Sequence, residues 1–130
     1  MIDSIPSVTS ALVGVALDGL ALQQRVIANN IANVNSPGFA AGRVDFETAL
    51  RNAADGGIDN TPAEIKERLQ QVDAGIDTGT FIKQAEQPGV QLDLEMAQLN
   101  QTVLKYQALI QGLNSFGALT SMTISGERNR

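Results

Sequence analysis

From Met96 to Leu113 the chain repeats apolar residues at a spacing that admits one structure. Met96, Leu99, Val103, Tyr106, Ile110 and Leu113 step by three, four, three, four and three. That is the seam of a helix that packs against another helix in coiled-coil fashion. Between Met96 and Thr120 the only charged residue is Lys105, and Gln98, Asn100, Gln101, Gln107, Gln111 and Asn114 fill the gaps of the seam. Asp93 is a suitable N-cap for this helix, and Glu95 falls in its first turn, where the helix dipole favours an acid. Leu109 and Phe116 widen the seam.

A helix of this kind needs a partner, and the other end of the chain supplies one. From Val8 to about Asn33 the pattern is again helical, with Leu12, Val15, Leu22 and Val26 on one stripe and Ile27 and Ile31 on a stripe beside it. Asp18 and Arg25 are its only charges and do not define a solvated face. Each end helix runs roughly 26 residues, or about 39 Å at 1.5 Å per residue. The expected fold is mainly α: long N- and C-terminal helices paired coiled-coil-like, with a short irregular middle. Gln, Asn, Ser, Thr and Ala on the remaining surfaces neither repel a copy of themselves nor demand ion pairing when desolvated. A free-standing helical interaction module, an adaptor or export chaperone, is the competing reading of the same periodicity.

The first helix ends in Ala28-Asn-Asn-Ile-Ala-Asn-Val-Asn-Ser-Pro-Gly-Phe39. Pro37 biases Ser36 away from helical torsions, and Gly38 accepts positive φ. A helix stop needs one glycine or asparagine, not Asn29, Asn30, Asn33 and Asn35 together. Asn29 and Asn33 are expected to act as register-setting amides within the seam, as buried asparagines do in coiled coils.

In the middle, Phe39 and Phe46 are the expected anchors, and Val44–Asn52 has room for two helical turns. Thr61-Pro-Ala-Glu64 is a capping box that opens a helix over Pro62–Val72. Asp73–Gly79 is rich in turn formers. Thr80–Gln84 and Gly89–Leu92 flank Gln87-Pro-Gly89 and are expected to pair as a short hairpin. The division that follows is a helical axial core from residues 1–38 and 93–124, a connecting segment 39–92, and a flexible tail 125–130.

Composition removes most chemistry. The chain has 130 residues, a size suited to one domain, with no cysteine and no histidine. Thiolate chemistry, disulfides and the commonest general base and metal ligand are therefore missing. A net charge of −5 without a basic cluster argues against nucleic acid. Asp93 and Glu95 lie two apart and point to different faces, so they do not make an acid–base pair. Asp55, Asp59, Asp73 and Asp77 do not follow the order of a calcium loop. Ser36 has no base to activate it. No catalytic residue, cofactor or metal is expected. The N-terminus shows no cleavable signal pattern, and Asp18, Gln23, Gln24 and Arg25 interrupt the first helix, so a membrane span is not expected.

Two stretches carry a resemblance. Asn30-Ile-Ala-Asn-Val-Asn-Ser-Pro-Gly-Phe39, followed by Arg43-Val-Asp-Phe46, resembles the N-terminal signature of bacterial flagellar rod and hook proteins. Val90-Gln-Leu-Asp-Leu-Glu-Met-Ala-Gln-Leu99 and Lys105-Tyr-Gln-Ala-Leu109 resemble the ending of proximal rod proteins. The matches cover about residues 10–50 and 90–117; the polar extension Met122–Arg130 departs from the pattern. The resemblance implies a structural subunit of the flagellar basal-body rod that packs both chain ends into a torque-transmitting tube. It implies Asn30, Asn33, Ser36, Pro37, Gly38, Phe39, Asp45 and Phe46 as the family turn motif. It also implies other rod proteins, a ring-to-rod adaptor and the flagellar type III export apparatus as partners, with a location in the periplasmic rod.

Overall fold

The computed structural model describes residues 4–55 and 60–128. Residues 1–3, 56–59 and 129–130 lie outside what it describes, as do the side chains of residues 4–6, 116 and 118–128. In order, the elements are α1 (Ser4–Ala32), β1 (Gly42–Val44), α2 (Glu47–Ala54), α3 (Pro62–Thr78), β2 (Ile82–Gln84) and α4 (Leu92–Arg128). The expected mainly α architecture with long end helices is the one observed.

α1 and α4 run antiparallel. Asn30 near the end of α1 bonds Glu95 near the start of α4. Further along, Gln24 shares a cleft with Val103 and Tyr106, and Ala16 shares one with Leu109. α3 lies on another side of α1, and α2 bridges α3 and α1.

The core is not a two-helix seam alone. Val15, Leu20 and Leu22 of α1 are buried together with Phe46, Ala53 of α2 and Leu69, Val72 and Ile76 of α3. Phe46 is the largest of them, at 2 % exposure. Its ring lies against Gly19 so closely that a Cβ there would overlap it. A helix-weakening glycine is thus placed where the ring needs room.

Two expectations about the middle are corrected. α3 does not stop at Val72 but continues through the turn formers to Thr78. Leu69, Val72 and Ile76 extend one apolar face by three and four residues, and their burial outweighs the poor propensity of Asp73, Gly75 and Asp77. The helix stops at Gly79, whose φ of 76° is left-handed and whose N–H bonds back to Gly75 and Ile76. Its start is as expected, with Thr61 Oγ1 accepting from the Glu64 N–H at 3.3 Å.

The hairpin does not form. β2 pairs antiparallel with β1, in the register Gly42↔Gln84, Arg43↔Lys83 and Val44↔Ile82. Gly89 joins the same patch through a bridge to Ala40. The strand leaving α1 is thereby flanked by the chain that leads into α4. At the far end, α4 stays helical to Arg128, past the point where a tail was expected to begin.

α1 meets the length and composition of a membrane-crossing helix over Ser7–Ala32, contrary to the expectation from its interrupting polar residues. Its packing against α3 and α4 is that of a core helix. Only 28 % of its most apolar window is buried within this chain, however, so much of its surface is left to be covered.

Candidate functional site: the junction of the two end helices

The asparagine-rich turn is built in two layers. The outer layer is local. Asn33 Nδ2 donates to the Asn29 carbonyl at 2.8 Å and to Asn29 Oδ1 at 3.2 Å. Asn33 Oδ1 accepts from Ser36 Oγ at 3.0 Å. The Asn33, Ser36 and Phe39 N–H groups bond to carbonyls three or four residues back. These bonds occupy carbonyls that a helix end leaves unpaired. Gly38, at φ 77°, then completes the turn after Pro37, where any residue with a Cβ would be strained.

Asn29 is exposed and Asn33 bonds only to its neighbours in sequence. The expectation that these two set register within the seam is therefore corrected: they cap the helix.

The inner layer holds the long-range bonds, and Asn30 makes them. Its amide pairs with the backbone of Gly42 as a β-strand neighbour would. Asn30 Oδ1 accepts from the Gly42 N–H at 2.8 Å, and Nδ2 donates to the Gly42 carbonyl at 2.9 Å. The same Nδ2 donates to Glu95 Oε2 at 3.0 Å. Arg43 closes the ring: one guanidinium nitrogen reaches Glu95 Oε1 at 2.6 Å and another the Gly42 carbonyl at 2.8 Å.

Asn30 and Glu95 are both fully buried, whereas Arg43 keeps part of its surface in solvent. Four residues from the end of α1, from β1 and from the start of α4 form one satisfied polar cluster. The cluster explains why β1 begins where it does. Only a glycine lets the strand approach so closely, since a Cβ on Gly42 would stand 2.9 Å from Val26 Cγ1.

Glu95 was expected to serve the dipole of its own helix. It lies in the first turn of α4 as anticipated, but its carboxylate is spent on Asn30 and Arg43. The signal available in the sequence was the Asn30-to-Phe39 and Val90-to-Leu99 pair of motifs. Nothing in either motif alone reveals that they meet.

The remaining motif residues sit around this lock. Phe39 is half-buried, and its carbonyl accepts from the Gly89 N–H at 2.9 Å. Asp45 is exposed; its N–H bonds to the Phe81 carbonyl and its carboxylate pairs with Lys83 at 3.2 Å. Pro37 is exposed, and Phe46 fills the core.

Of the expected seam, Val15, Leu22 and Ile27 are buried, while Leu12, Val26, Ile31, Leu99, Val103, Tyr106, Ile110 and Leu113 are half-buried. Met96 is not in it. At 45 % exposure its side chain lies outside the packed face. α4 is turned so that Glu95, Leu99, Thr102, Tyr106 and Leu109 face the chain interior. Thr102 is buried and satisfies its hydroxyl on the Gln98 carbonyl at 2.8 Å. Among the described residues no cluster of three or more acids suited to a metal is present.

The antiparallel helix pair is thus locked at one end by a buried amide–carboxylate–guanidinium cluster, beside an Asn-rich Pro-Gly turn. A family model for flagella basal body rod proteins matches residues 15–39. Among curated relatives, the flagellar basal body rod protein FlgB of Bacillus subtilis is 29 % identical over 121 residues, covering 86 % of this chain and 90 % of its own. FlgB of Borrelia hermsii is 54 % identical over 37 residues, which is 28 % of this chain and 27 % of that one.

Proposed function

We propose that this chain is a structural subunit of the flagellar basal-body rod, assembling with other rod components, and that the Asn30–Gly42–Arg43–Glu95 lock fixes the angle at which the chain leaves the helix pair and so gives every copy one shape. In this reading residues 1–38 and 93–124 form the axial core and 39–92 the connecting segment. The seam of Leu12, Val15, Leu22, Val26, Ile27 and Ile31 with Leu99, Val103, Tyr106, Ile110 and Leu113 holds the two end helices together inside a subunit. The work is mechanical: a stiff pair transmits torque because its two helices cannot slide past each other. No catalytic step is assigned to it.

The observation that carries this reading is the full burial of Asn30 and Glu95 with every bond made across distant segments. Such a polar cluster favours a single register, because any slip strands a buried charge. The subunit would leave the cell through the flagellar type III apparatus. It would then meet the ring-to-rod adaptor at the base of the rod.

Asn30→Leu tests this. The expected result is loss of swimming and of isolable rods, with helical content retained in the purified chain. Normal rods in that variant would sink the lock as the device that sets subunit shape.

A further inference from the structure

Arg68 of α3 is half-buried, and two of its guanidinium nitrogens, Nε and Nη2, are buried without a hydrogen-bond partner. These two nitrogens lie along one edge of the guanidinium plane, with their N–H bonds side by side. That edge is a fork able to meet both oxygens of one carboxylate. Among the described residues the ion pairs are Arg43 with Glu95, Lys83 with Asp45 and Lys105 with Glu47, and Arg68 takes part in none of them. A buried donor without an acceptor destabilises a fold, and more so when it is charged.

Arg68 also lines a cleft of about 290 Å³ between α2 and α3. Ala49, Ala53, Val72 and Phe81 make the apolar part of its lining, and the exposed Asn52 and Gln71 the polar part. We infer that this cleft takes up a single carboxylate, the side chain of an aspartate or glutamate on a partner protein, with Arg68 as its receptor.

Three features select that occupant. Arg68 is the only charged residue of the lining, so the cleft offers one positive charge. A carboxylate matches it, whereas a phosphate dianion would be half neutralised. The volume falls at the lower end of sites that enclose a small molecule, about 300–1,000 Å³, and suits one side chain better. The two alanines, Val72 and Phe81 then suit the aliphatic stem of that side chain. Because Nε and Nη2 are closed off from water, the acceptor reaches them when part of the cleft wall gives way. Asn52 and Gln71 are exposed enough to swing, and α2 starts without a side-chain cap. The net charge of −5 gives no long-range pull on an acid, so recognition is local to the cleft. The site lies on the connecting segment and does not depend on the rod reading.

The test is a nuclear magnetic resonance titration of the purified, isotope-labelled chain, followed at the Arg68 Nε–H signal, which is assigned by its loss in Arg68→Lys. The probe is N-acetyl-glutamate amide, whose one carboxylate stands in for the partner's. A saturable shift with a Kd of roughly 10 mM is expected, the scale of one charge-assisted contact. The backbone amides of Asn52 and Gln71 should shift with it. In Arg68→Lys those two amides should stay in place, because lysine keeps the charge and loses the fork. N-acetyl-glutamine amide and inorganic phosphate are the controls. An equal shift with either control, or none with the glutamate probe up to about 100 mM, would overturn the assignment. Arg68→Met is the second arm. It replaces the unpaired donors by an apolar chain of similar length and is expected to raise the melting midpoint. A lowered midpoint would show that the fork is satisfied within the fold, and would also overturn it. Neither arm reads rods or swimming, so failure of this site and failure of the rod reading are separate results.

Discussion

At the scale of single residues, the lock makes a prediction about which partner matters more. Arg43→Ala leaves the Glu95 carboxylate buried with Asn30 alone, and removing one partner of a buried pair costs about 3–5 kcal/mol. Arg43 is partly solvated, which places the expected loss near the lower end of that range. Glu95→Gln keeps the shape and an acceptor for Asn30, and neutralises the buried charge. The double variant Arg43→Ala/Glu95→Gln is therefore expected to be more stable than Arg43→Ala alone. Urea unfolding of the three variants measures this, and equal stability of the single and double variants would show that the buried charge does not depend on Arg43.

A second residue-scale prediction concerns Asp73. Its pKa is raised from 3.8 to about 6, first by a shared hydrogen bond with Asp18, then by burial and by the charges of Asp18 and Asp77. Asp73 and Asp18 line one cleft between α1 and α3, with Lys66 on its wall. The folded state holds this proton more tightly than the unfolded chain. Stability from the pair is therefore fully present below about 3.8 and is lost as pH rises through about 6. Asp73→Asn is expected to raise the melting midpoint at pH 7.5 and to leave it little changed near pH 4. Solvent screening of the half-exposed pair keeps the gain below about 1 kcal/mol. A variant equally stabilised at both pH values would contradict the shared proton.

At the scale of elements, the contrast between two α1 glycines is sharp. Gly14 has open space around it, so Gly14→Ala should stabilise the helix by about 0.5–1 kcal/mol. Gly19→Ala should destabilise instead, because its methyl group meets the Phe46 ring in a packed core, where overpacking costs about 1–3 kcal/mol. Thermal melting of both variants gives opposite signs. The same sign for both would mean that the ring can move.

Elements also show where sequence reasoning reached and where it stopped. The end helices were legible because their apolar spacing repeats over many turns, and Thr61–Glu64 was legible because a capping box is local. The end of α3 was not. Asp73-Ala-Gly-Ile-Asp reads as a turn until Phe81 is known to lie 2.7 Å from where a Gly75 Cβ would be, and Ile76 to face the core. The pairing of β2 with β1 was hidden for the same reason, since its partner is some forty residues away while the Pro-Gly turn is adjacent. Within the asparagine motif, composition marked the site but not the roles. Asn30 and its neighbour Asn29 differ only in which side of the last helical turn they occupy.

At the scale of the whole molecule, the question is whether the helix pair and the middle segment are separable. The core gives one answer. Phe46, Leu69, Val72 and Ile76 come from residues 39–92, yet they pack on Val15, Leu20 and Leu22 of α1, and the lock joins β1 to both end helices. The proposed division into axial core and connector is then not one of folding. The single tyrosine, Tyr106, packs beside that core in a chain without tryptophan, so its fluorescence reports the α1–α4 contact specifically. Far-ultraviolet ellipticity reports all four helices. The two signals should fall together on heating, as one cooperative transition requires. Phe46→Ala, a truncation of about 3–5 kcal/mol, should shift both by the same amount although it alters no residue of either end helix. An early loss of ellipticity that leaves the Tyr106 transition in place would mean that the middle segment melts on its own, and that the end helices hold their pairing without it.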